Sequence, residues 1–89
     1  MGEREKRTEE PVHNRIQMLR AERGMSRQQL AEALGVHYQT IGYLERGEYS
    51  PSLFLALRIA ALFQLPVDAI FSLQPFPVLR PEALLPQGT

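Results

Sequence analysis

The stretch SRQQLAEALGVHYQTIGYLERG, residues 26–47, constrains this chain more than any other, because it sets two helix-forming segments around one glycine with almost no loop between them. Ser26 is an N-cap residue and Gln29 stands three places on, the spacing of a capping box. A helix is therefore predicted from Arg27, with Leu30, Ala31 and Leu34 on its inner face. Gly35 then supplies the left-handed turn. A second helix is predicted over residues 37–46. At roughly 100° per residue, Thr40, Ile41, Leu44 and Glu45 share one side of it. Tyr38, Gln39, Gly42, Tyr43 and Arg46 share the other, a polar and aromatic face. Two helices this short bury little alone, so small and apolar residues must fix their crossing. Ala31, Gly35, Val36, Ile41 and Leu44 stand where that requires them.

The flanking segments supply the rest of a small core. A helix is predicted from near Pro11, a residue tolerated in a first turn, to Gly24 at its C′ position, with Val12, Ile16 and Leu19 as the inner stripe. Arg20 flanks that stripe, and Glu45 lies on the core side of its own helix. An unpaired carboxylate there would be costly, so an Arg20–Glu45 ion pair is predicted. Beyond Gly47, Ser52 is a second N-cap, and a helix is predicted to about Phe63. Leu55, Ala56, Ile59, Ala60 and Phe63 form its inward face. Phe54, Leu57 and Leu62 are left over, and a helix apolar on two sides wants two partners. A last helix, residues 67–73, closes the core with Ile70 and Phe71, and Asp68 suits its positive end.

These segments together resemble the lambda-repressor-like helix-turn-helix family of phage repressors and Cro proteins, also called the xenobiotic response element (XRE) family. NRIQMLRAERGMS, QQLAEALGV, QTIGYLERGEYSPSL and LALRIAALFQLPVDAIF carry the resemblance, from about Asn14 to Leu73. It implies an all-α fold, a compact five-helix domain with the helix-turn-helix as its second and third helices. It also implies the pairing of Arg20 with Glu45. Gln64 stands where relatives carry a helix-ending glycine, so it must adopt a left-handed conformation at a cost of roughly 1 kcal/mol. Pro66 replaces the usual polar cap of the last helix.

The resemblance further implies a sequence-specific regulator of transcription, a repressor, whose second motif helix docks in the major groove of double-stranded DNA. The matching positions are Tyr38, Gln39, Thr40 and Tyr43 for base or groove contact and Arg27 for the phosphate backbone, with Gln28 also assigned to DNA binding. Gln39 is the strongest candidate for direct readout, since a carboxamide pairs bidentately with adenine at a value of roughly 1 to 3 kcal/mol. Gly42 costs about 1 kcal/mol relative to Ala in mid-helix. Either it brings the helix backbone close to the groove wall, or it relieves crowding between the two tyrosines. His37, at the N-cap, is assigned to capping or to a phosphate contact, and Arg46 with the amides of residues 47–52 to phosphate. One helix reads only a few base pairs, so a homodimer on a palindromic operator is expected, with half-sites about 10 bp apart. Its candidate surface is Phe54, Leu57 and Leu62 with Leu79 and Leu84 of the tail.

Three segments are expected: a flexible charged arm over residues 1–11, the DNA-binding domain over 12–74, and a Pro/Leu-rich tail over 75–89. The arm interleaves Glu with Arg and Lys and is read as solvated, or as touching DNA through Arg4, Lys6 and Arg7. The tail, with prolines at 75, 77, 81 and 86, is too apolar for a plain linker; it packs on the fourth helix, crosses to a second subunit, or stays disordered.

At 89 residues there is room for one modest core, and no cysteine for disulfides or thiolate metal sites. No apolar run of secretory or membrane-spanning length occurs, and Lys6 breaks a myristoylation motif, so a cytoplasmic, nucleoid-associated protein is expected. The formal net charge is zero, which predicts weak non-specific affinity for DNA. His13 and His37 lack partners at ligand or acid–base spacing, so neither catalysis nor a cofactor, metal or small-molecule ligand is expected. Two other functions compete: an antitoxin whose apolar tail covers a toxin, and a protein-interaction module that keeps this fold without reading DNA.

Overall fold

A computed structural model describes residues 12–77. In chain order the elements are β1 (His13–Asn14), α1 (Ile16–Glu22), α2 (Arg27–Leu34), α3 (Tyr38–Glu45), α4 (Leu53–Phe63), α5 (Val67–Ile70) and β2 (Phe71–Ser72). The fold is all-α as expected, with five helices and one added antiparallel pair in which His13 faces Ser72 and Asn14 faces Phe71.

The helix ends follow local chemistry. Ser26 and Gln29 complete the capping box that starts α2, and Ser52 Oγ accepts from the Leu55 amide to start α4. Gly35 (φ 75°) ends α2 in the left-handed region. Gln64 ends α4 in the same conformation (φ 58°), the only non-glycine among the described residues to do so. Pro66 stands at the N-cap of α5 and offers no side-chain cap, while Asp68 occupies the first turn.

Two predicted helices are shorter than expected, and for linked reasons. Val12 lies outside α1 and not on its inner stripe, and α1 begins at Ile16 in place of Pro11. Asn14 draws the chain out of the helix: its Oδ1 accepts from the Ile16 amide at 3.0 Å, and its Nδ2 donates to the Leu44 carbonyl at 2.8 Å. The Arg15 amide then donates to the Ile70 carbonyl at 2.9 Å, so the start of α1 and the end of α5 share their backbone bonds. That pairing ends α5 at Ile70 and makes Phe71 and Ser72 a strand.

Ile16, Leu19, Leu30, Ala31, Leu34, Ile41, Leu44, Leu55, Ile59, Ala60, Phe63 and Ile70 form one core to which every helix contributes. Leu62 is half-buried against it, so it does not belong to the unpartnered face of α4 as expected. Leu53, exposed beside Phe54 and Leu57, takes its place there. Leu79, Leu84 and the arm over residues 1–11 lie outside the described residues. Of the tail, Phe76 is half-buried with the Arg15 guanidinium 4.2 Å over its ring.

Arginines tie the helices together. Arg58 of α4 donates to the Leu34 carbonyl at 2.7 Å and the Ala33 carbonyl at 3.4 Å, satisfying the C-terminus of α2. Arg23 does the same for α4 through the Phe63 carbonyl at 2.9 Å. Cations suit these negative helix ends.

Candidate nucleic-acid interface

The geometry of α3 is set from beneath. Its inner face seats Ile41 and Leu44 in the core, and Glu45, with only 1% of its side chain exposed, continues that face. The carboxylate accepts from Arg20 Nε at 2.7 Å and Nη2 at 3.3 Å, the predicted ion pair in bidentate form. Arg20 Nη1 also donates to the Met25 carbonyl at 3.0 Å, which fixes the loop leading into α2. A second cation, not foreseen in this role, completes the cluster: Arg27 Nε donates to Glu45 Oε1 at 3.0 Å. One buried carboxylate thus orients α1, α2 and α3 together.

The outer face of α3 is left bare. Tyr38 is 54% and Tyr43 46% exposed, and Gln39 is exposed between them. Thr40 is half-buried at the edge, and Gln28 is exposed at the start of α2. His37 occupies the N-cap of α3 but makes no side-chain capping bond.

Gly42, in contrast, is buried. A methyl group there would stand 3.2 Å from Arg46 Nη1 and 3.7 Å from Arg27 Nη1. The absent side chain therefore seats two guanidinium groups on the helix backbone, a third reason for this glycine beside the two considered from sequence. Arg27, Tyr38, Gln39, Gly42, Tyr43 and Arg46 line one hollow of about 170 Å³, cationic at its floor and aromatic at its walls.

Past α3, Gly47 (φ 75°) turns the chain back, and the Glu48 amide donates to the Tyr43 carbonyl at 2.9 Å. Glu48 is thereby placed beside Arg46, which donates to it through Nε at 3.1 Å and Nη2 at 3.3 Å. The hydrogen bond to Glu48 raises the Arg46 guanidinium pKa above its ordinary value. Glu48 and Tyr49 line a second hollow with Thr40 and Tyr43. Sequence reasoning missed both residues. The available signal was Gly47, since a glycine that reverses the chain after a helix returns the next side chains to that helix's last turn.

The fold and this face define a class, and the comparisons give the same one. The helix-turn-helix family profile matches residues 16–70, and the chain belongs to that family. Among its relatives, YgzD of Bacillus subtilis (strain 168), named an uncharacterized HTH-type transcriptional regulator, is 41% identical over 63 residues, covering 71% of this chain and 96% of that protein. A protein of Archaeoglobus fulgidus with the same description is 42% identical over 60 residues, 67% of this chain and 86% of its own length. Another from Methanothermobacter thermautotrophicus (strain Delta H) reaches 53% identity over 55 residues, 61% of this chain and 80% of that protein.

Proposed function

We propose that this chain is a sequence-specific, double-stranded DNA-binding transcriptional regulator, a repressor that reads the major groove with α3 as a cytoplasmic homodimer. The observation that carries the reading is the bare outer face of α3: Tyr38, Gln39 and Tyr43 project from a helix whose other side is locked into the core and to Glu45. Gln39 reads a base edge, and the tyrosines offer a hydroxyl and a ring to neighbouring positions. Arg27, Gln28, His37 and Arg46 face the phosphates, with Gly42 contributing through the arginines it seats. Thr40 stands at the groove edge.

A single α3 contacts too few base pairs for useful specificity, so two copies act on a palindromic operator. The exposed Leu53, Phe54 and Leu57 of α4 form the dimer surface. The DNA-binding domain spans residues 12–74, with the arm and tail as appendages. The names of the relatives support the regulatory role.

Selection of bound duplexes from a random pool tests this reading. Wild type should enrich a palindrome, Gln39→Ala should lose base preference at one position per half-site, and Tyr43→Ala at an adjacent one. A uniform loss of affinity would assign these side chains to backbone contact. One observation favours a protein-interaction module in place of a DNA reader: every arginine from Arg15 to Arg58 is already engaged inside the molecule. That reading requires that no duplex be enriched at any salt concentration.

A further inference from the structure

We infer that Glu48 is a built-in competitor for DNA phosphate, which holds Arg46 down on α3 and sets how strongly this surface grips any duplex. The inference rests on the DNA-reading role of α3.

The arginines of the described residues divide by what holds them. Arg20 and Arg27 share the buried carboxylate of Glu45, and Arg23 and Arg58 cap helix ends, so their partners belong to the core or the backbone. Arg15 lies over Phe76 and lines no hollow with Tyr38, Gln39 or Tyr43. Arg46 differs. Its partner Glu48 is a carboxylate as exposed as itself, standing on the same face as Tyr38, Gln39 and Tyr43. The guanidinium is bent back over Gly42 and beside the Tyr43 ring, its centre 5.4 Å from the ring centroid.

A phosphate approaching this hollow finds the Nε/Nη2 edge of Arg46 already taken by Glu48, with Nη1 left over Gly42. Both Nε and Nη2 of Arg46 point at the carboxylate, the pair of groups that grips a phosphate in bidentate fashion. Binding therefore either displaces the Glu48 carboxylate from that edge or sets the phosphate on Nη1 beside it, and in both cases the carboxylate remains near the DNA backbone as a like charge. Neither effect depends on base sequence. Glu48 thus lowers affinity for all duplexes alike, and leaves discrimination to Gln39 and the tyrosines.

The test is the affinity of Glu48→Gln for a random-sequence duplex and for the selected operator across a salt series. An exposed pair of this kind is modest, so a gain of about two- to fivefold is expected at low salt, equal for both duplexes. The slope of log affinity against log salt should steepen by up to about 0.9, one more phosphate neutralised. In Arg46→Gln the same Glu48 change should gain clearly less than in wild type, because the contested cation is gone and only the like-charge repulsion remains. Asp68→Asn, which removes the same charge from a hollow sharing no residue with α3, should leave affinity and slope as in wild type. Unchanged or weaker binding by Glu48→Gln, or an equal gain in Asp68→Asn, overturns the inference while wild-type binding stands. If wild type binds no duplex, the DNA reading fails first and this inference with it.

Discussion

Glu45 shows how much one side chain can decide. Its carboxylate is buried and bonded to two guanidinium groups, one from α1 and one from α2. Replacing it with alanine leaves the largely buried Arg20 without a counter-charge, so Glu45→Ala should lose about 3 kcal/mol or more. The loss should read as a lower urea midpoint at unchanged m. Arg27→Ala should cost much less, because Arg27 is partly exposed and Arg20 still satisfies the carboxylate. Gly42 makes the opposite case. Alanine favours a helix interior by up to about 1 kcal/mol, and the methyl meets only the mobile end of Arg46, so Gly42→Ala should fold at least as stably as wild type. It should nonetheless bind duplex more weakly, since the Arg46 guanidinium is displaced; a thermal melt and a binding titration on one sample separate the two effects.

At the scale of elements, the short pairing of β1 with β2 decides where α1 starts and α5 stops. Asn14 is its pivot, bonding forward to Ile16 and across to Leu44 of α3. Asn14→Ala removes both bonds at a cost of about 1 to 2 kcal/mol. The first turn of α1 should fray, seen as faster amide hydrogen exchange at Ile16 while Leu30 and Leu34 keep their protection. The cross-helix arginines follow a related logic. Arg58 and Arg23 sit at the C-termini of α2 and α4, each of which ends in a left-handed residue that exposes its last carbonyls.

For the molecule as a whole, charge and apolar surface are separated. Among the described residues the arginines are spent on scaffold contacts or countered by glutamates. Its apolar excess lies on α4, where Phe54 is 71% exposed beside Leu53 and Leu57. If that face joins two copies, Phe54→Lys with Leu57→Lys should yield a monomer by analytical ultracentrifugation at wild-type thermal stability of the fold. Operator affinity should then fall far more than random-duplex affinity, because only the operator rewards two linked copies. Among the described residues, no helix is long and apolar enough to cross a membrane.

Much of this was legible in the chain because it is written in local chemistry. The capping box at Ser26, the turn at Gly35, the cap at Ser52 and the split of α3 into two faces each depend on residues within one or two turns of each other, whereas the left-handed Gln64 was implied by the family resemblance. The Arg20–Glu45 pair was legible too, since a carboxylate on a core face demands a partner. Tertiary structure decided the contacts made across many residues by groups with more than one option. Asn14 could have joined a helix and instead bonds to Leu44; Arg27 could have faced solvent and instead shares Glu45; Leu62 settled on the core and Leu53 did not. Periodicity and capping act within a segment, so sequence alone determined α2, α3 and α4 and the outer face of α3, while the ends of α1 and α5 waited on the pairing of β1 with β2. Long flexible polar side chains choose partners only once the segments have met, so the packing determined which cations remain within reach of DNA.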